Sequence, residues 1–149
     1  MRKFFIVYFI LVSTSIVFSQ NNLLWQGYYS YNQITEISES PNQIYAASQN
    51  AVFSKNSSNN EVKTITTIDG LSGENISAMY YSVSFDKTLV GYENGLIIVI
   101  NQADGSMLNI VDIINKQLPA NMKKINHFME YEGIVYVSCD FGIVQFDLK

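Results

Sequence analysis

Three segments of this chain repeat one strand–turn–strand block, and that recurrence constrains the fold more than any other feature. YAASQNAVF at Tyr45–Phe53 aligns with LVGYENGLI at Leu89–Ile97 and with YVSCDFGIV at Tyr136–Val144. The aligned positions Ala51, Gly95 and Gly142 lie 44 and 47 residues apart, and the residues opening each unit, Ile34, Ile76 and Ile125, lie 42 and 49 apart. A repeat of roughly 40–50 residues carrying four short strands is the length of one propeller blade. The sharpest junction is ITTIDGLSGENI at residues 65–76, where an apolar run ends in Asp-Gly, a small polar loop follows and a new alternating pattern begins. Glycine supplies turn conformations there, and the flanking β-branched residues supply half-buried pleated surface.

The expected architecture is all-β: a partial β-propeller of about three four-stranded antiparallel blades, with units near residues 32–74, 75–123 and 124–149, the last ending after its third strand. The aromatic segment at residues 25–31 reads as the closing strand of a blade completed elsewhere, so residues 20–149 read as the amino-terminal part of a larger propeller. Small residues at Ala51, Gly95 and Gly142 are expected where blades crowd together. A non-repetitive β-sandwich is the competing architecture for strands at this spacing. Only Val111–Met122 has the composition for a short helix.

Residues 1–19 read as a signal peptide. Arg2 and Lys3 precede the apolar run Phe4–Val12, and Val17 and Ser19 occupy cleavage-type positions before Gln20. No later run is long enough to cross a bilayer as a helix. The net charge of −4 becomes −6 without the leader, which disfavours nucleic acid as a partner. The single cysteine, Cys139, rules out a disulfide framework within the chain.

No catalytic constellation, cofactor-binding motif or metal-ligand set is expected. His127 stands alone among apolar neighbours and reads as a packed or hydrogen-bonded structural histidine. Cys139 reads as a buried, inert thiol and Asp140 as a turn residue. Glu130 and Glu132 read as a solvated edge rather than an acid/base pair, and Asp69, Asp104 and Asp112 lack calcium-loop spacing. GLSGEN shares glycines with a phosphate loop but lacks the Gly-Lys-Ser/Thr ending and precedes a strand. Tyr28, Tyr29, Tyr31, Tyr80, Tyr81 and Tyr92 admit two readings, a sugar-stacking or protein-binding surface, or packing in and around the core.

Read in order, WQGYYSYNQITEI, IYAASQNAVF, ITTIDGLSGENISAMYYS, LVGYENGLIIVI, INHF and FGIVQFDL resemble the amino-terminal propeller of the PorZ family, a surface component of the type IX secretion system of Bacteroidetes. GLSGENI at residues 70–76 and NGLI at residues 94–97 also resemble the propeller repeats of two-component regulators. The PorZ resemblance implies a non-enzymatic, exported protein of the periplasm or outer-membrane surface. Its implied partners are the sortase complex and anionic lipopolysaccharide destined for secreted cargo. The regulator resemblance implies a glycan-sensing periplasmic propeller instead.

Overall fold

The computed structural model describes residues 33–149. The expected leader and the aromatic segment at residues 25–31 lie outside them. Eleven strands follow in chain order: β1 Ile34–Glu39, β2 Gln43–Ser48, β3 Val52–Asn56, β4 Val62–Ile65, β5 Ile76–Ser82, β6 Lys87–Tyr92, β7 Ile97–Asn101, β8 Met107–Ile110, β9 Ile125–Tyr131, β10 Ile134–Cys139 and β11 Gly142–Asp147. They pair as antiparallel meanders β1-β2-β3-β4, β5-β6-β7-β8 and β9-β10-β11. The first strands are the hub: β1 lies alongside β5 and β5 alongside β9, while β4 and β8 form the outer edges of their sheets. Three sheets fanned about their first strands are three blades of a propeller, as the repeat predicts.

Strand registers show the repeat at single-residue precision. Each first strand opens with the same irregularity: Ile34 faces Ser48 and Glu36 faces Ala47, Ile76 faces Tyr92 and Ala78 faces Gly91, Ile125 faces Cys139 and His127 faces Ser138. One residue is extra each time, and it is polar: Thr35, Ser77 or Asn126. A bulge leaves that residue out of the ladder and increases the local twist. A hydroxyl or amide there finds other partners. Thr35 Oγ1 donates to the Ala47 carbonyl at 3.2 Å, Ser77 Oγ to the Ile125 carbonyl of the next blade at 2.7 Å, and Asn126 Nδ2 to Asp140 Oδ1 at 2.7 Å.

The same registers correct one expected equivalence. Ser48 N–H donates to the Ala51 carbonyl, whereas Tyr92 N–H donates to that of Leu96. Leu96 therefore occupies the place of Ala51, and Gly142, opposite Cys139, occupies it in the third blade. Gly95 is an added turn residue at φ +89°, and a Cβ there would lie 2.6 Å from Ile113 Cγ2. The small residue that recurs is instead on the second strand, at Ala47, Gly91 and Ser138, all within the aligned blocks, and the first two of these meet the next blade.

Burial divides into two cores, each sandwiched between neighbouring blades. Tyr45, Ala47 and Val52 pack against Met79, Tyr81, Val90 and Ile98. On the opposite face of the middle blade, Leu89, Ile97 and Val99 pack against Ile125, Phe128, Val135 and Val137. The middle blade is covered on both sides, which is why TLVGY and LIIVI read as continuous apolar runs rather than alternating ones. The third blade keeps its alternation: Phe128, Val137 and Val144 face the middle blade, and His127, Ser138 and Ile143 share the opposite face.

Residues 111–122 are not the expected helix. They run through successive turns, and only Ala120–Met122 forms a single 3₁₀ turn. Pro119 disfavours a helical Leu118, and the segment is pinned by Ile113, which is buried against the third-blade core. Lys123 closes the connection by donating from Nζ to the Ile114 carbonyl.

Candidate functional site

The junction of the first two blades carries the most developed polar surface. Tyr45 on β2 and Tyr81 on β5 stack across it with ring centroids 5.7 Å apart and planes inclined by 17°. Both rings are buried, and Tyr81 N–H donates to Ser38 Oγ of the first blade at 2.9 Å. The Tyr81 hydroxyl donates to Asp86 Oδ1 at 2.7 Å. Asp86 sits in the β5–β6 turn at φ +50°, a left-handed conformation that Asp and Asn tolerate better than most residues. Gln102 Nε2 donates to buried Thr88 Oγ1 at 2.8 Å. Above the stack lies a cleft of about 400 Å³ whose walls include Pro41, Asn42, Gln43, Asp86 and Gln102.

Burial sets the ionisation of the core tyrosines. Tyr92 is pushed up to about 12 by burial, opposed by the Ser72 N–H that donates to its hydroxyl. Tyr81 is pushed up to about 12 by burial first and then by its hydrogen bond to Asp86. Burial also raises Tyr45, with Thr88 and Ser40 opposing through hydrogen bonds. Above pH 10 an unfolded tyrosine loses its proton while these folded ones keep theirs, so the folded state holds more protons and stability falls as pH rises. The expected result is a urea-unfolding midpoint that is level below pH 9 and declines between pH 10 and 12, with Tyr92→Phe flattening part of the decline.

The residues singled out from sequence do not converge. His127 is exposed on β9, on the face turned away from the middle blade, so the packed reading is corrected. The bulge at Asn126 sets which way it points. Cys139 is buried as expected, and burial, then Asp140, raises its thiol. Asp140 is a turn residue whose carboxylate accepts from Asn126. Glu132 is an exposed turn residue at φ +51°. Glu130 departs from the solvated reading, because its side chain points into the junction with the middle blade and its Oε2 is shielded from solvent. Its charge adds to burial in raising Tyr80.

The aspartates occupy three separate turns. Asp69 Oδ2 accepts from Thr66 N–H at 2.8 Å and Thr66 Oγ1 at 3.0 Å, which ties the Asp-Gly turn of the central junction. Asp104 accepts from Ser106 N–H and Oγ, which holds its carboxyl below the usual range. Asp112 is exposed in the turn after β8. Among the described residues no three His, Cys, Asp or Glu side chains come together as a metal-ligand set. Tyr81 and Tyr92 are core residues and Tyr80 is half-buried, while Tyr28, Tyr29 and Tyr31 lie outside the described residues. Sequence reasoning passed over Tyr45, Asp86 and Gln102. Their spacing carries no motif, and only the packing of one blade on the next brings them together.

Residues 44–149 match the family described as "TSS9, PorZ, N-terminal beta-propeller domain". Among solved structures, the chain is similar to PorZ of Porphyromonas gingivalis, described as an essential bacterial surface component of the type IX secretion system. That match has a TM-score of 0.73 and 20% identity over 83% of this chain and 16% of the other. It is also similar to the extracellular domain of a hybrid two-component system of B. thetaiotaomicron, with a TM-score of 0.65 and 13% identity over 83% of this chain and 17% of the other. Saccharomyces cerevisiae Sqt1 matches with a TM-score of 0.58 and 16% identity over 76% of this chain and 32% of the other. At such identities these likenesses establish the propeller fold. No curated protein sequence matches significantly.

Proposed function

The chain belongs to the PorZ N-terminal β-propeller family, and from that premise we propose that it is a non-enzymatic, exported module of the type IX secretion system. In this reading it acts at the periplasmic or outer-membrane surface and supports delivery of anionic lipopolysaccharide and attachment of secreted cargo. The observation that carries the proposal is the family match, which runs from the second strand of the first blade through the third blade. Among the described residues no helix is long and apolar enough to cross a membrane. At the junction of the first two blades the Tyr81 hydroxyl donates to Asp86 and the Gln102 amide to Thr88.

The acidic balance of the chain bears on how partners are met. With thirteen Asp and Glu against nine Lys and Arg, long-range attraction to an anionic glycolipid is absent. Lys124 pairs with Glu93 at 3.4 Å, and Lys123 is held by the Ile114 carbonyl. Contacts through protein partners of the sortase complex, or through uncharged parts of a glycan, fit this surface better than phosphate recognition.

The chain spans 16% of the P. gingivalis PorZ chain, so the test belongs to the whole protein. Deleting the gene in its own host is expected to leave cargo proteins unanchored at the surface, read by fractionation and by blotting for cargo-attached lipopolysaccharide. Normal anchoring in the deletion strain overturns the proposal. The likeness to a two-component extracellular domain favours one second reading, a glycan-sensing periplasmic propeller. A membrane span and kinase encoded after the Lys149 codon would select that reading; a second propeller and a sorting domain would select the first.

A further inference from the structure

The two blade junctions share a backbone arrangement but differ in how their turn-bearing ends are filled. Register relates their strands residue by residue. Ser82 pairs with Lys87 as Ser40 meets Gln43, but the turn between them has four residues in the middle blade, Phe85 among them, and only Pro41 and Asn42 in the first. Asn101 pairs with Lys87, and Asp147 pairs with Ile134, so Leu148 stands where the middle blade has Gln102. Gly133, like Asp86, immediately precedes the second strand of its blade, and Leu89 takes the place of Tyr45.

At the second junction these positions are apolar and closed. The Phe85 ring reaches within 3.6 Å of the point where a Gly133 Cβ would stand, Leu148 is buried, and Lys87 Nζ spans the gap to the Leu148 carbonyl. Phe85, Leu89 and Leu148 all belong to the second core. At the first junction the shorter turn presents Pro41 in place of a phenylalanine, and the other positions are Gln102, Asp86 and Tyr45. The proline ring is too small to plug the gap, and the result is the cleft of about 400 Å³.

We propose that this cleft is a binding site for one neutral, hydroxyl-rich sugar residue. Its walls offer the Asp86 carboxylate as an acceptor and the amides of Asn42, Gln43 and Gln102 as both donors and acceptors. Sugar hydroxyls are matched by such mixed groups, and the space suits one or two sugar rings. No lysine or arginine lines it, so a phosphate or uronate placed beside Asp86 meets a like charge without compensation. The tyrosine pair beneath fixes the position of Asp86 through the Tyr81 hydroxyl, so the acceptor is held in place before a ligand arrives. The inference deepens the proposed envelope function by naming what part of a glycan the propeller meets, and it rests on that reading only for access to glycans.

The test is saturation-transfer-difference NMR and calorimetry on the whole protein. The probes are mannose and N-acetylglucosamine, with glucuronate and mannose 6-phosphate as anionic counterparts. Neutral sugars are expected to bind and the anionic ones to bind at least ~10-fold more weakly, because an unpaired charge beside a fixed carboxylate goes uncompensated. Pro41→Phe, which installs the plug of the second junction at an exposed turn, is expected to abolish saturation transfer while leaving the near-ultraviolet spectrum unchanged. Asp86→Asn keeps the left-handed turn and removes the charge; it is expected to weaken neutral-sugar binding and to erase the discrimination against anionic sugars. No transfer to either neutral sugar, a preference for the anionic probes, or undiminished binding in both variants overturns the inference. Those failures leave cargo anchoring in the deletion strain untouched, so the two proposals fail separately.

Discussion

Gly91→Val is expected to destabilise the protein by ~3 kcal/mol or more, at the upper end of what overpacking a core costs. A Cβ on Gly91 would stand 2.8 Å from Ile125 Cγ2 and 2.8 and 2.9 Å from two carbons of the Phe128 ring. Ile125 and Phe128 are fully buried on the first strand of the next blade, so neither can swing into solvent. Separating the blades instead would give up contacts along the whole second core. Urea denaturation read by far-ultraviolet dichroism measures the loss. Gly73→Val, at a position with nothing within 4 Å of its Cβ, is the matched control and is expected to stay within ~0.5 kcal/mol of wild type.

A double-mutant cycle locates the strain. Phe128→Ala alone costs ~3–5 kcal/mol as a cavity mutation. Combined with Gly91→Val it is expected to cost less than the two separately, by ~0.5–3 kcal/mol, because the valine occupies space that the ring has left. Strict additivity would show that the two blades do not meet at this point.

Tyr45→Ala is the second large effect, expected at ~3–5 kcal/mol by analogy with other buried aromatic truncations. Tyr45 is 2% exposed, and its ring stacks on Tyr81, so the substitution opens a cavity between the first two blades and removes an aromatic pair. Tyr45→Phe keeps the stack and loses only the hydroxyl's hydrogen bonds, for ~1 kcal/mol. Native-state hydrogen exchange distinguishes this from the Gly91 effect. Tyr45→Ala is expected to speed exchange on β1 and β2 more than on β9 and β10, and Gly91→Val to do the reverse. Equal loss of protection across all three blades in both variants would show one indivisible folding unit in place of two junctions.

Much of the fold was legible because its signals are local. The blocks at Tyr45–Phe53, Leu89–Ile97 and Tyr136–Val144 each carry two strands and their turn within nine residues, so periodicity and turn chemistry suffice to find them. The opening residues Ile34, Ile76 and Ile125 proved equivalent in register because each begins an inner strand before the same bulge. A one-residue insertion broke the inference at Gly95. Sequence alignment without gaps matched glycine to glycine, while the backbone places Leu96 opposite the Ala51 position. The unsuccessful helix at residues 111–122 has the same origin: Pro119 and the burial of Ile113 outweigh a composition that suits a helix.

The candidate site was not legible. Pro41, Tyr45, Asp86 and Gln102 come from two blades and four local segments, and their neighbours in the chain say nothing of one another. Glu130 and His127 show the same limit in opposite directions, one shielded within a junction and the other turned to solvent.

The sequence by itself determined that this protein repeats a small antiparallel meander three times, because strand alternation and turn residues act over fewer than ten positions. Tertiary structure alone decided which face of each meander is covered, which residue at a blade junction must lack a side chain, and that one junction is plugged by Phe85 while its neighbour stays open over Tyr45 and Tyr81. Those outcomes depend on side chains from separate blades competing for the same space, a quantity that no local pattern encodes.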